Sequence, residues 1–351
     1  LQVRDQVPAD LFTFRHVSDD PVTDWIAATL PKGGRLGYDP WHFTEGRIKS
    51  LAAACAKAGG ELAPVETNPI DAVWTDQPPP PATPAVPHPM EFSGESSAAK
   101  RARIAADLTK DALDAAVLTA PDSIAWLLNV RGADVPNTPL VLSFALLYAD
   151  GRVDWFVDPA KLSDQTRAHL GNEIRVRPTD DFGPGLDALG GKRILADATA
   201  SAAWVFERLA AAKAEIVRET DPCQLPKAIK NPVELAGTRA AHIRDGAALT
   251  QFLGWLARET ASGPVGSSGG VDELSAEAKL AEFRATGDHH RGASFDTISG
   301  AGPNSAVVHY RVNPATNRPL QSGELYLVDS GAQYLDGTTD VTRTVAIGVP
   351  T

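Results

Sequence analysis

Residues 325–347 read LYLVDSGAQYLDGTTDVTRTVAI, and this stretch decides the fold of the last third of the chain. A nearly continuous apolar run ends at Asp329, Asp336-Gly337 is a turn signal, and a second strand-like run follows Asp340. Two such runs joined at an Asp-Gly turn predict a β-hairpin. Because the first run is so apolar, we expect its strand to be buried on both faces, where a carboxylate is costly unless a cation or hydrogen-bond donors meet it.

The hairpin also predicts where its two carboxylates lie. With the turn centred on Asp336-Gly337, Asp340 falls opposite Gln333, which shares a strand face with Asp329 because side chains alternate with period two. An offset of four residues remains, roughly 13 Å along a regular strand, so a shared ion requires a bulge, a longer loop or strong twist. Taken alone, Asp340 is more simply a solvated strand-edge residue or a partner of Arg343. Taken as a pair, the carboxylates suit divalent ions such as Mn²⁺, Co²⁺ or Zn²⁺.

A single histidine lies upstream of the hairpin, at the end of FDTISGAGPNSAVVHY over residues 295–310. The Gly-rich turn in this segment lacks the strand–GxGxxG–helix context of a dinucleotide site and the Lys-Ser/Thr of a P-loop. A lone histidine after two valines is more often a core or edge residue than a catalytic one. Only together with Asp329 and Asp340 does His309 become a candidate catalytic residue.

The rest of the chain predicts several α/β segments. The Pro-rich stretch QPPPPATPAVPHP at 77–89 is expected to be a stiff, extended linker that cannot join a sheet, with a docking motif for an SH3-type partner as the alternative. Helix and strand patterns alternate between 96 and 221. We expect three domains, over 1–94, 95–221 and 222–351.

The third domain is predicted to open with a long amphipathic helix, because proline at position 232 is tolerated in a first helical turn. A flexible loop is expected over 263–270 (GPVGSSGG), followed by a second helix that ends near Arg284. The buried face of the first helix is expected to consist of Leu235, Ile243, Ala247, Leu249, Phe252, Leu253 and Leu256.

Composition and charge narrow the class of protein. The chain has 351 residues, 43% hydrophobic and 22% charged, which is typical of a globular protein with real cores. A net charge of −11 without a basic run argues against nucleic acid as a partner. Cys55 and Cys223 match neither a disulfide framework nor a metal knuckle, which favours a reducing, cytoplasmic setting. No apolar run predicts a membrane-spanning helix, and no signal pattern opens the chain.

The quoted hairpin and histidine strings resemble the catalytic domain of the pita-bread metallopeptidases, and specifically the three-domain X-Pro aminopeptidases. The resemblance extends upstream through NPVELAGTRAAHIRDGAAL, WLLNVRGADVPNTP and GYDPWHFT, and so covers most of the chain. It implies an α/β (α+β) fold, in which creatinase-like N-terminal domains precede the first part of a pita-bread catalytic domain. The chain starts at Leu1 without methionine and stops after a strand-like run at Thr351, so we expect an internal segment of such an enzyme.

The resemblance also implies roles for individual residues. Asp329 and Asp340 match two of five ligands of a dinuclear metal centre, with Asp340 bridging the ions, and His309 matches a histidine that contacts substrate near the scissile bond. Asn304 and the neighbouring glycines are expected to shape the loop that holds His309. The remaining ligands, a histidine and two glutamates, would follow Thr351, so the segment alone is expected to lack part of its metal site.

The implied activity is metal-dependent release of the N-terminal residue from peptides with proline at the second position. Two divalent ions are implied, Mn²⁺ first, with Zn²⁺ or Co²⁺ as alternatives, and a homodimer is expected. Three other interpretations stay open. They are a prolidase-like dipeptidase, which the three-domain length disfavours, a metal-free pita-bread hydrolase or binding protein, which would typically lack both aspartates, and a non-catalytic scaffold.

Overall fold

The computed structural model describes residues 3–261 and 270–349, so the predicted Gly-rich loop lies outside the described residues except for Gly270. The helices are α1 (Val3–Gln6), α2 (Val22–Thr29), α3 (Glu45–Lys57), α4 (Pro69–Val73), α5 (Met90–Ser93), α6 (Ser97–Lys110), α7 (Pro121–Leu128), α8 (Asp164–Leu170), α9 (Phe182–Asp187), α10 (Ala203–Ala211), α11 (Gln224–Ala228), α12 (Pro232–Ala261) and α13 (Glu273–Ala285), with 3₁₀ turns at Pro159–Lys161, Thr179–Asp181 and Gly302–Ala306.

The strands are β1 (Arg35–Tyr38), β2 (Glu61–Pro64), β3 (Val86–Pro87), β4 (Ala115–Leu118), β5 (Val130–Arg131), β6 (Phe144–Tyr148), β7 (Val153–Phe156), β8 (Ile174–Arg177), β9 (Arg193–Ala196), β10 (Glu215–Val217), β11 (His290–Ala293), β12 (Ile298–Ala301), β13 (Leu325–Ser330), β14 (Ala332–Tyr334), β15 (Gly337–Thr338) and β16 (Val341–Ala346).

The chain forms two compact units. Unit 1 comes from Leu1–Val86, Ser97–Val130 and Leu142–Ile229, and unit 2 from Pro87–Ser96, Arg131–Val141 and Lys230–Thr351. The three domain limits predicted from the sequence stay a prediction.

Unit 1 contains a six-stranded mixed sheet in the order β10-β9-β4-β6-β7-β8. β4 lies parallel to β9 and antiparallel to β6, and all four of its residues are buried, as expected for an apolar strand covered on both faces. The apolar side chains of β4, β6, β7 and β9 pack with those of α9 and α10 into one core. The predicted alternation of helices and strands is confirmed.

A smaller layer precedes this sheet in unit 1. β1 and β2 pair in parallel, and α2 and α3 pack against each other through Ile26, Leu51 and Cys55. The predicted helix over 44–57 is confirmed as α3, whose N-cap residue Thr44 accepts a hydrogen bond from the amide of Arg47 at 3.4 Å. The expectation that the Pro-rich stretch joins no sheet is wrong at its end, because Val86–Pro87 form the short strand β3.

Unit 2 is built on α12 and α13, which pack against the antiparallel sheet β12-β13-β16. α12 begins at Pro232 as predicted and has 30 residues, but no described helix, α12 included, is long and apolar enough to cross a membrane. A second antiparallel sheet has the order β11-β14-β15.

The predicted buried face of α12 is only half right. Leu249, Phe252 and Leu256 are buried, whereas Leu235 is 40% and Ile243 74% exposed. The first half of the helix instead buries the small residue Ala241 and the charged residue Asp245, and it approaches the hairpin so closely that a Cβ on Gly237 would lie 2.5 Å from the carbonyl oxygen of Asp336. Small residues permit this contact and large apolar ones would block it.

Candidate active site

The predicted hairpin exists, but its turn lies one residue earlier than expected. Asp329 faces Thr342 across β13 and β16, and Tyr334 faces Gly337 across β14 and β15. These pairs belong to one continuous register, which leaves Leu335 and Asp336 as the two turn residues. The predicted centre at Asp336-Gly337 is therefore wrong.

This shift of the turn moves the register by two residues. The amide of Thr339 donates to the carbonyl of Ala332 at 2.9 Å, so Asp340 lies across from Gly331 and not from Gln333. Asp329 and Asp340 are then diagonal neighbours on one face. Such neighbours lie roughly 7–8 Å apart, compared with roughly 13 Å for the predicted four-residue offset. The observed register halves the offset from four residues to two, whereas the predicted register required a bulge, a longer loop or strong twist.

Gly331 makes the close approach between the two strands possible. A Cβ at this position would lie 2.0 Å from the carbonyl oxygen of Thr339 and 2.2 Å from the hydroxyl oxygen of Ser294. Ser294 donates its own amide to the carbonyl of Gly331 at 3.1 Å and its hydroxyl to the carbonyl of Thr339 at 2.8 Å. Only glycine fits between these groups. Gly331 directly precedes Ala332, the residue that lies opposite Thr339.

The strand that carries Asp329 is buried on one face only. Tyr326, Val328 and Ser330 are buried, Leu325 is exposed, and Asp329 is half-buried on the same face as Leu325. The predicted burial on both faces is wrong, because α12 and α13 cover a single side of the sheet.

One carboxylate oxygen of Asp329 has no partner within the part of the chain that the structure describes. Asp329 Oδ1 is buried and accepts no hydrogen bond there. Asp340 is exposed and directly precedes β16, and Arg343, a partner considered for Asp340, donates to the carbonyl of Thr342 at 2.7 Å. A buried carboxylate oxygen without a donor is costly unless a cation approaches it. The two aspartates therefore fit divalent metal ions, for which carboxylate oxygens are suitable ligands.

The described residues, 3–261 and 270–349, contain no cluster of three or more His, Cys, Asp or Glu side chains placed to hold a metal.

A polar clamp, which the sequence analysis missed, holds the hairpin turn. Arg244 of α12 donates to both carboxylate oxygens of Asp336, at 3.2 and 2.5 Å. Tyr334 donates its hydroxyl to Asp245 at 3.0 Å, and Asp245 accepts two further bonds from Arg284 at 2.8 and 3.0 Å. Burial, and next the charge of Asp245, raise the pKa of the Tyr334 hydroxyl. In the sequence Arg244-Asp245 looks like an ordinary charged surface pair, so only the tertiary contacts show its role.

His309 lies in a separate loop, three residues after the 3₁₀ turn Gly302–Ala306 ends. Its side chain is exposed and its backbone φ of 55° lies in the left-handed region. The next residue, Tyr310, is buried and donates its hydroxyl to Glu273 at 2.9 Å. Asn304 donates its amide to Glu273 at 3.0 Å and to the Tyr310 hydroxyl at 2.9 Å, which confirms that Asn304 shapes the loop. Glu273 was missed, because an acidic residue at a helix start normally indicates only a helix terminus.

Comparison with known proteins identifies the class. Residues 76–234 match the creatinase/prolidase N-terminal domain, and residues 236–351 match metallopeptidase family M24. The chain therefore contains a creatinase-type N-terminal domain followed by an M24 metallopeptidase domain. The family and the fold class predicted from the sequence are confirmed.

The more specific relatives are X-Pro aminopeptidases. The probable Xaa-Pro aminopeptidase P of Coccidioides posadasii is 37% identical over 340 residues, which cover 93% of this chain and 54% of the relative. The corresponding protein of Aspergillus niger is 37% identical over 338 residues, with the same coverage. The chain therefore spans about half the length of these relatives.

Solved structures agree with this picture. The X-prolyl aminopeptidase of Caenorhabditis elegans, described as a cytosolic enzyme with a di-nuclear active site, superposes with a TM-score of 0.85 at 30% identity, covering 94% of this chain and 54% of that one. The Xaa-Pro dipeptidase of Bacillus anthracis shares the fold, with a TM-score of 0.54 at 21% identity over 72% of this chain and 66% of that one.

Proposed function

We propose that this chain provides part of the active site of a metal-dependent Xaa-Pro aminopeptidase, which releases the N-terminal residue from peptides with proline at the second position. The observation that carries the proposal is the placement of Asp329 and Asp340 as diagonal neighbours, with Asp329 Oδ1 buried and unpartnered among the described residues. The names of the relatives at 37% identity support the substrate class.

Each of the three residues has a distinct role in this proposal. Asp329 and Asp340 would be among the residues that hold two divalent ions. Mn²⁺ is the proposed metal, and Zn²⁺ or Co²⁺ are the alternatives. When bound, the ions would supply Lewis-acid polarisation of the carbonyl that precedes proline. His309 presents an exposed imidazole, which can donate a hydrogen bond or a proton to the reacting group of the substrate.

The test compares hydrolysis of Arg-Pro-Pro, Arg-Ala-Ala and the dipeptide Arg-Pro by the full-length protein, with Mn²⁺ supplied. We expect release of arginine from Arg-Pro-Pro alone, and loss of that activity in Asp329→Asn and Asp340→Asn. Equal cleavage of Arg-Pro-Pro and Arg-Ala-Ala, or of neither, contradicts the proposal. Cleavage confined to Arg-Pro would support a prolidase-like dipeptidase instead.

We further propose that the protein is a homodimer and that it is located in the cytoplasm. The cytosolic description of the Caenorhabditis elegans enzyme supports the compartment, and the family resemblance supports the dimer. Light scattering after size exclusion measures the mass in solution, and a monomer at working concentration would contradict the dimer.

A further inference from the structure

Glu273, the first residue of α13, is the most completely bonded carboxylate of unit 2. Its side chain is fully buried. Oε1 accepts from the amide of Ala301 at 2.7 Å and from the side chain of Asn304 at 3.0 Å. Oε2 accepts from the hydroxyl of Tyr310 at 2.9 Å and from the amide of Arg318 at 3.1 Å. These bonds hold the carboxylate and its partners in one arrangement, because a hydrogen bond to an ionised acceptor is stronger than a hydrogen bond to a neutral one.

These four partners span one loop. Ala301 ends β12 at the start of the loop, Arg318 lies near its end, and Asn304 and Tyr310 lie between them. Residues 307–324 contain no helix or strand, and their backbone is joined to neighbouring segments at isolated points, such as the bridge between Asp272 and Pro319. Long segments of this kind inside a compact domain are uncommon and are usually functional. Glu273 therefore adds to these isolated backbone bonds by joining both ends and the middle of the loop to α13.

His309 lies inside this tied loop in an unfavourable backbone conformation. A φ of 55° is uncommon for a residue with a side chain, and it persists only where the surroundings hold it. The surroundings here are the buried neighbour Tyr310, bonded to Glu273, and the turn in which the amide of Tyr310 donates to the carbonyl of Val307 at 3.1 Å. With Tyr310 directed inwards, the imidazole of His309 is directed to solvent.

We propose that Glu273 is a positioning residue, which holds His309 in its left-handed conformation through Tyr310 and Asn304 and thereby aims the imidazole at the peptide substrate. The proposal rests on the role given above to His309 in the proposed function. It assigns no contact between Glu273 and the substrate or the metal ions.

The sharpest variant is Glu273→Gln, which keeps the size of the side chain. Each carboxylate oxygen accepts one backbone amide, from Ala301 and from Arg318. An amide side chain has a single acceptor oxygen, so in either orientation one of the two backbone N–H groups faces an NH₂ group. We expect hydrogen exchange of the amides in 302–318 to be at least about tenfold faster, with exchange in β13 and β16 unchanged.

Turnover provides the second readout. Misplacement of an aligned catalytic group costs roughly 10- to 100-fold, so we expect Glu273→Gln to lower kcat by about that factor with KM nearly unchanged. If Glu273 acts through His309, then Glu273→Gln causes no further loss in a His309→Ala background. An equal loss of kcat in both backgrounds would overturn the proposal.

Tyr310→Phe is the milder variant, in case Glu273→Gln does not fold, and Tyr326→Phe is its matched control. Both remove one buried tyrosine hydroxyl, but the Tyr326 hydroxyl bonds Ser299 of β12 at 2.8 Å and not a residue of the loop. We expect Tyr310→Phe to speed exchange in 302–318 and lower kcat severalfold, and Tyr326→Phe to do neither. If hydrogen exchange in 302–318 is unchanged in both Glu273→Gln and Tyr310→Phe, Glu273 does not stabilise the loop and the proposal is wrong. An unchanged kcat in His309→Ala would instead contradict the proposed function of His309.

Discussion

The hairpin that carries Asp329 and Asp340 and the loop that carries His309 lie in the same unit but are held by different means. Six facing residue pairs join β13 to β16, and the Arg244–Asp336 ion pair holds the turn. The loop has no ladder. It is held by isolated backbone bonds, such as the bridge between Asp272 and Pro319, and by side-chain bonds, among which those of the Glu273 carboxylate reach both ends and the middle. The hairpin therefore spreads its stabilisation over many weak contacts, whereas the loop relies on fewer bonds, several of them to one residue.

This difference has a consequence for the two kinds of chemical group. Metal ligands must keep a fixed separation, which a ladder enforces through the strand geometry itself. A group that acts on substrate must be exposed and correctly oriented, which a surface loop bonded to a helix permits. Substitutions in the hairpin should therefore change metal binding and stability, and substitutions in the loop should change turnover.

His309→Ala tests this division with the largest expected effect. We expect turnover of Arg-Pro-Pro to fall roughly 100- to 10,000-fold, because a positioned acid or hydrogen-bond donor contributes about that much, while the bound metal is unchanged. Asp329→Asn should lower the metal content itself. His289→Ala is a matched control, since His289 is also exposed and also has a left-handed φ, of 66°. Loss of metal from His309→Ala would place this histidine among the metal ligands. It would contradict the expectation that the hairpin binds metal and the loop acts on substrate.

Gly331→Ala tests the hairpin by steric means. The added Cβ would lie 2.0 Å from the carbonyl oxygen of Thr339, which is too close for the strands to keep their register. Overpacking of this kind costs about 1–3 kcal/mol or more of unfolding free energy, and we also expect weaker metal binding. Gly246→Ala in α12, where a Cβ meets nothing within 4 Å, should instead stabilise by about 0.5–1 kcal/mol. Denaturant titration distinguishes the two, and equal stability of both variants would contradict the close approach.

Asp336→Asn tests the clamp on the turn. The Arg244–Asp336 pair is mostly shielded, with side-chain exposures of 22% and 10%, so its loss should cost about 1–2 kcal/mol in thermal unfolding. The matched control is Asp187→Asn, whose partner Arg208 forms an equally close pair at 37% and 47% exposure. We expect at most about 1 kcal/mol there, because solvent screens exposed pairs. A smaller effect at Asp336 than at Asp187 would show that the clamp does not hold the turn.

Glu277→Gln has the smallest expected effect. Glu277 lies on α13, the helix to which the loop is bonded. Burial raises the pKa of Glu277, the nearby Asp296 adds to this, and Arg311 opposes it. When the pKa of a carboxyl group is higher in the folded than in the unfolded protein, the free energy of unfolding falls as the pH rises above the unfolded-state pKa, here 4.5. Glu277→Gln should therefore be more stable than the parent at pH 7, by less than about 1 kcal/mol after screening, and equal to it below about pH 4.

Unfolding curves at several pH values measure this difference. The exposed Glu282, paired with Lys279, serves as the control through Glu282→Gln, which should gain no stability at pH 7. A constant advantage of Glu277→Gln at every pH would contradict the assignment of its cause to ionisation.

Local patterns in the sequence were sufficient for the elements that frame the site. Pro232 marked the start of α12, the helix predicted to end near Arg284 is α13, and alternation placed Asp329 and Asp340 on one strand face. Each of these features depends on neighbours within a few residues, and such short-range geometry follows from the residue types.

The turn position was not decided by local pattern. An Asp-Gly pair favours a turn centred on itself, yet the tertiary structure places the turn at Leu335-Asp336. Arg244 binds Asp336, and Tyr334 is bonded to Asp245, which lies 89 residues away in the chain. Contacts of this kind outweigh the small preference of a dipeptide for one turn.

Residue types and their spacing were enough to predict the family, the two long helices and the hairpin of unit 2, and the two aspartates and the histidine as candidate site residues. Only the tertiary structure decided the separation of the carboxylates, the half-burial of Asp329 and the role of Glu273, whose contact with Tyr310 joins residues 37 positions apart. The physical reason is that residue type and spacing specify local conformation and burial preference. A buried charge acquires its partners only after distant segments have packed together, and those partners determine what it does.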